Sequence, residues 1–102
     1  RRLMAKAYEL SSNNRGPRGG RLILIHCPGC KCAHPFEIEA PRFSGWTWNG
    51  SLDKPTFTPS LLCNQDSPES RCHSFVTDGK IQFLSDCHHE LAGQTVELPD
   101  WE

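Results

Sequence analysis

No stretch of the 102-residue chain approaches the ~20 consecutive apolar residues that a membrane-spanning helix requires. The amino end also lacks the charged-then-apolar pattern of a secretory signal. A soluble, intracellular protein is the expectation, with Met4 read as a candidate start and Arg1 to Leu3 as upstream sequence. No long segment repeats its apolar residues every 3.6 positions, which excludes a helical bundle. There is no internal repeat, no low-complexity tract, and no G-x-S-x-G, H-E-x-x-H or phosphate-binding loop. Apolar content is also low: 36% hydrophobic residues and a mean hydropathy of -0.55. A chain this short buries roughly 65% of its unfolded surface, so its single core is thin and a cross-link or metal would help it materially.

The net charge of -1 conceals an asymmetry. Residues 1–34 sum to +6 and residues 35–102 to -7. The basic arm, with Arg15, Arg18 and Arg21, can touch phosphate, but nucleic-acid binders are usually basic overall. A decorated loop and strand edge is the simpler reading.

Proline and glycine punctuate the chain at short intervals, and the segments between them alternate as strands do. "LMAKAYEL" reads as a first strand and "SSNNRGPRGG" as a flexible loop. "RLILIHC" is apolar on both faces and so central in a sheet. "PFEIEA" turns Phe36 and Ile38 inward and Glu37 and Glu39 outward. "GWTWNG" sets Trp46 and Trp48 on one face, with Asn49-Gly50 as a turn. "PTFTPSLLC" is extended, and its prolines place it at an edge. Asp78-Gly79 divides "CHSFVTDGKIQFLSDC" into a two-residue hairpin. "DCHHELAG" then makes about one and a half helical turns, capped by Ser85 or Asp86 and stopped at Gly93, and "QTVELP" closes the sheet. The fold class is mostly β: one small zinc-stabilised domain of antiparallel hairpins with one short C-terminal helical turn. Residues 1–20 supply an N-terminal strand and a flexible Arg/Gly loop, and residues 21–102 the zinc-binding β domain.

Six cysteines are too few for a disulfide scaffold at this length. In "CPGC", Pro28-Gly29 turns the chain so that Cys27 and Cys30 face one point, which suits a tetrahedral Zn²⁺. No long helix follows to make the motif a thioredoxin-like redox site. Register supplies the second pair. With Asp78-Gly79 as the turn, Cys72, Ser74 and Val76 share a face with Ile81 and Phe83, and Cys87 would continue it. Cys27, Cys30, Cys72 and Cys87 are therefore the expected ligands, with one position open to histidine. Cys32 and Cys63 read as bystanders. His73 falls on the opposite face with Phe75 and Gln82, and His34 is left open. Asp78 is explained as a turn residue and Asp86 as a cap. Trp46 and Trp48, with His88 at the other end, form the candidate partner surface.

Together "CPGC", "WTWNG", "KPTFTPSLL" and "CHSFVTDGKIQFLSDCHHELAGQTVELPDW" resemble a family of small phage and prophage proteins, often labelled ammonia monooxygenase. The resemblance spans roughly residues 21–101. It implies a zinc-binding β domain in the bacterial cytoplasm, with relatives near ubiquitin-like conjugation genes. Cys27, Cys30, Cys72, His73, Cys87 and His89 fall on the family's recurrent Cys/His positions, and His34 more loosely. The resemblance favours His73 and His89 as ligands as much as the cysteines beside them. The oxygenase label finds no support, since the cysteine-rich set suits zinc better than redox-active copper. A non-enzymatic phage-type zinc domain that binds a protein partner is the leading expectation. The alternatives are a zinc hydrolase using His34 or His89 beside a bound water, and a nucleic-acid accessory protein using the basic arm.

Overall fold

The computed structural model describes residues 5–11, 13–42 and 45–101. It is all-β, with two antiparallel sheets packed face to face. The first sheet has the order β1 (Ala7–Glu9), β2 (Arg21–Cys27), β3 (Cys32–Ile38). The second runs β4 (Thr47–Trp48), β5 (Phe57–Cys63), β6 (Cys72–Thr77), β7 (Lys80–Phe83), β8 (Thr95–Glu97). Leu3 and Met4, read as part of the first strand, lie outside the described residues.

Alternation builds the core. Ile23, Ile25, Phe36 and Ile38 point inward from the first sheet, and Phe57, Leu61, Val76, Ile81 and Phe83 from the second. Phe36 and Phe57 stack across the gap at 4.0 Å, and the Trp46 ring meets Phe36 edge-on. β2 is central, as its two apolar faces predict. Its outer face is covered by the chain's end. Trp101 stacks on His26 at 4.0 Å and on Tyr8 at 5.4 Å, tied by its N–H to the Ala5 carbonyl.

The hairpin register is the predicted one: Thr77 opposes Lys80, Val76 opposes Ile81, and Ser74 opposes Phe83. Asp78 and Gly79 both have positive φ, 51° and 79°, the backbone that a tight hairpin turn demands. Three expectations change. Residues after Phe83 form no helix. Successive turns carry the chain instead, closed by Cys87 N–H to Leu84, Ala92 N–H to His89 and Gln94 N–H to Leu91. The segment is too short, and too tied to β6 and β7, to propagate helical bonds. Glu37 is buried rather than outward, because the Arg/Gly loop folds over it and donates the Arg18 and Gly20 N–H groups to its carboxylate at 3.0 and 2.8 Å. β5 is an edge strand only in part. β4 pairs with Phe57 and Thr58, and among the described residues no strand neighbours the rest of that side of β5.

Candidate functional site

The turn between β2 and β3 is a sulfur knuckle. Lys31 adopts a φ of 61° and closes the turn onto the Cys27 carbonyl at 2.7 Å, while the Cys30 N–H points at Cys27 Sγ at 3.3 Å. β6 delivers Cys72 from its inner face, and the turn after β7 delivers His89. The donor atoms of Cys27, Cys30, Cys72 and His89 all lie within 4.8 Å of one another, so the four can hold a metal ion. The spacing decides what kind. Sulfurs ~2.3 Å from a common tetrahedral centre lie ~3.8 Å apart, and a sulfur and an imidazole nitrogen ~3.6 Å apart. Cys27 Sγ and Cys72 Sγ are separated by 3.9 Å, and Cys72 Sγ and His89 Nε2 by 3.6 Å. Those two separations match a four-coordinate ion, and the other donor pairs lie within 4.8 Å.

The electrostatics fit as well. Hydrogen bonding from Cys72 holds Cys27 down at about 3, and the same pairing pushes Cys72 up. Burial raises Cys30 and lowers His89, keeping that imidazole in the neutral form a metal requires. The edge of Phe83, at 4.4 Å, fixes the His89 ring. Gly29 is needed here, since a Cβ on it would run into the His89 ring. Gly29→Ala is expected to push His89 out of the cluster and weaken metal binding at least tenfold (about the lower bound for a disturbed ligand shell), measured by competition with a chromogenic chelator.

Of the four expected cysteines, the structure brings together Cys27, Cys30 and Cys72, with His89 beside them. Cys87 is elsewhere: its Sγ lies 3.2 Å from the His73 N–H and 3.1 Å from the His73 carbonyl, gripping β6 from the side. The chain leaves the strand at Phe83, so the alternation that would have carried Cys87 inward stops, and His89 occupies the fourth place. His88 is exposed, with Nε2 3.4 Å from Cys30 Sγ at the rim. His34 is buried between Cys27 and Cys63. Burial opposes its charge, but the two sulfurs outweigh it and push its pKa up to about 11. Cys32 is exposed and outside the cluster. Trp46 and Trp48 are half-buried against the core, and each donates its indole N–H to a carbonyl, Trp46 to Ser60 and Trp48 to Ser51. With Arg21, which pairs with Glu9 and Glu39, they line a groove of about 710 Å³.

His73 is not gathered into the metal cluster. It is the residue after Cys72, so alternation turns it to the outer face of the second sheet. There its Nε2 lies 3.1 Å from Ser60 Oγ and its Nδ1 lies 3.4 Å from Asp86 Oδ2. The result is a hydroxyl, an imidazole and a carboxylate in line, each 13 residues after the last. Ser60 stands on β5 where its register against β6 shifts, and its carbonyl is fixed by Trp46 at 3.2 Å. Asp86 is held by the turn whose Leu84 N–H binds the His73 carbonyl at 2.9 Å. All three residues reach solvent. Ser74, by contrast, is buried on the inner face with its hydroxyl unpartnered.

Fold and site together define a small all-β domain with a Cys/His cluster able to hold a metal and a Ser-His-Asp row on the opposite face of the same strand. The family described as bacterial ubiquitination-like system serine protease (BubE) matches residues 2–84, and the chain belongs to it. Asp86 and His89 lie just past the matched span. No curated protein and no solved structure matches the chain. Among the described residues no helix is long and apolar enough to cross a membrane.

Proposed function

We propose that this chain is a serine hydrolase of the peptidase type, acting on a protein in a bacterial ubiquitination-like system, with Ser60 as nucleophile, His73 as general base and Asp86 as its orienting carboxylate. The observation that carries the reading is the Ser60–His73–Asp86 row, with Oγ on Nε2 and carboxylate on Nδ1, the arrangement that activates serine on unrelated folds. Ser60 Oγ attacks the substrate carbonyl as His73 Nε2 takes its proton. The carbonyl–nitrogen bond breaks, the departing amine receives that proton, and an acyl group remains on Oγ. Water then attacks the acyl carbon, losing its proton to Nε2, and the acid leaves as the proton returns to Oγ. Asp86 keeps Nδ1–H pointing along the row and stabilises the imidazolium in both halves. The absence of G-x-S-x-G is no obstacle, since that motif belongs to a strand-to-helix elbow and Ser60 sits within a strand.

The metal in this reading is zinc, for which three thiolates and an imidazole at tetrahedral spacing are a well-suited donor set. Bound there, it supplies a cross-link between the knuckle, β6 and the turn bearing Asp86. A zinc hydrolase needs an open coordination position, and four protein donors leave none. The nucleic-acid reading loses Arg21 to its carboxylate pairs. A phage or prophage origin rests on the sequence resemblance alone, and the ubiquitination-like setting on the family. The test is covalent labelling with an alkyl fluorophosphonate. Wild type takes one label per chain, Ser60→Ala takes none, and Ser74→Ala labels as wild type does. Labelling that survives Ser60→Ala rules the assignment out.

A further inference from the structure

We infer that the open side of β5 beside Ser60 is the substrate-binding strand edge, and that it takes an extended peptide by main-chain pairing at Leu62. This rests on the hydrolase reading above. The register shows which way the backbone points. In a two-residue hairpin, the closing pair Thr77 and Lys80 exchanges hydrogen bonds, and such pairs recur at alternate residues. Residues 73, 75 and 77 therefore turn their N–H and C=O toward β7, as the Leu84 bond to the His73 carbonyl confirms. Cys72 and Ser74 turn theirs toward β5, where they oppose Cys63 and Leu61. Leu62, between those two, must direct its N–H and C=O away from β6. The Ser60 carbonyl, two residues back, points the same way, toward the Trp46 indole.

Trp46 thus caps this edge at Ser60, and β4 covers only Phe57 and Thr58. Among the described residues, nothing pairs with the N–H or C=O of Leu62. One donor and one acceptor at strand spacing, on an edge that no charge or proline blocks after Pro59, match one residue of an extended chain. Leu62 lies about 6.6 Å along the strand from Ser60, and an added strand runs about 4.8 Å to its side. A peptide held at Leu62 therefore reaches Ser60 within two residues, while the Trp46 indole ends the ladder and leaves its carbonyl near Oγ. Apolar surface accompanies the polar edge. Leu62 and Phe75 are each 38% exposed on the face that carries His73, and offer contact to an apolar substrate side chain.

The occupant is thus an extended, partly apolar peptide segment of a protein substrate. The experiment compares two probes with the same diphenyl phosphonate warhead, one capped by an acetyl group and one by an alanyl-leucyl-leucyl peptide. Wild type is expected to label at least about tenfold faster with the peptidyl probe, the worth of one or two net hydrogen bonds. Leu62→Pro removes the outward N–H without touching the β6 ladder, so it should lose most of that preference. Leu62→Ala keeps the N–H and most of the preference. The same loss should follow in wild-type protein with a peptidyl probe N-methylated on its backbone, a test that puts no demand on folding. Equal rates for both probes in wild type, or an N-methylated probe as fast as the parent, would overturn the edge. So would a dimer that Leu62→Pro dissociates, which would assign the edge to a second copy of this chain. Failure of both probes to label Ser60 would strike the hydrolase reading itself.

Discussion

Ser60→Ala is expected to lower hydrolysis of any substrate the wild type turns over by about 10⁴-fold or more, with Tm and metal content unchanged. The size follows from the chemistry. Without Oγ no acyl intermediate forms, and His73 and Asp86 have no proton to move. The side chain is small, half-buried and on the outer face of β5, so its hydroxyl leaves no core cavity behind. Asp86→Asn should cost nearly as much, because an amide can no longer hold Nδ1–H as a carboxylate does. His73→Ala joins them, and the double variant Ser60→Ala/His73→Ala should be no slower than either single, as expected of residues that act as one unit. Full additivity among the three would show that they do not act together.

The second large effect is on stability. Cys72→Ser and Cys27→Ser should each abolish stoichiometric metal binding and remove the cooperative melting transition, or lower it by roughly 20 °C or more. A structural zinc site contributes on the order of 10 kcal/mol, comparable with the whole stability of a small domain, and about 1 kcal/mol moves Tm by about 4–8 °C at this size. Both sulfurs are buried, Cys27 at the end of β2 and Cys72 at the start of β6, so an ion held there would join the two sheets directly. Cys32→Ser should leave metal and Tm unchanged, and Cys87→Ser should retain one metal per chain, because its sulfur faces the His73 backbone instead. Atomic-absorption stoichiometry across the four variants separates this ligand set from one of four cysteines.

Much of this architecture was legible in the chain. Asp78-Gly79 fixes a hairpin, the hairpin fixes a register, and the register sends Cys72 inward and His73 outward. That single alternation puts adjacent residues on opposite faces, Cys72 in the Cys/His cluster and His73 beside Ser60 and Asp86. Register alone chose Cys87 over His89, which only the family resemblance put forward, because the place of His89 depends on β7 stopping at Phe83 and on turns that replace the expected helix. Glu37 misled for a similar reason: strand periodicity turns it outward, but loop N–H groups from 17 or more residues upstream come to cover it. Ser60 carried no signal at all. Its nearness to His73 arises from long-range pairing of β5 with β6 and from a register shift, neither of which local periodicity encodes. Asp86 was read as a helix cap; no helix follows it, and its carboxylate lies 3.4 Å from His73 Nδ1 instead.

The metal and the Ser-His-Asp row share β6 and the turn after β7, with Cys72 beside His73 and Asp86 three residues before His89. Losing the ion should therefore release Asp86 from His73 before anything else. The most direct measurement follows fluorophosphonate labelling at Ser60 by mass spectrometry while metal is removed stepwise with a chelator and restored with zinc. The labelled fraction should track bound metal, reaching one label per chain at one ion per chain and returning on re-addition. Labelling that persists undiminished in fully metal-depleted protein, or a label on any residue other than Ser60, would contradict the account.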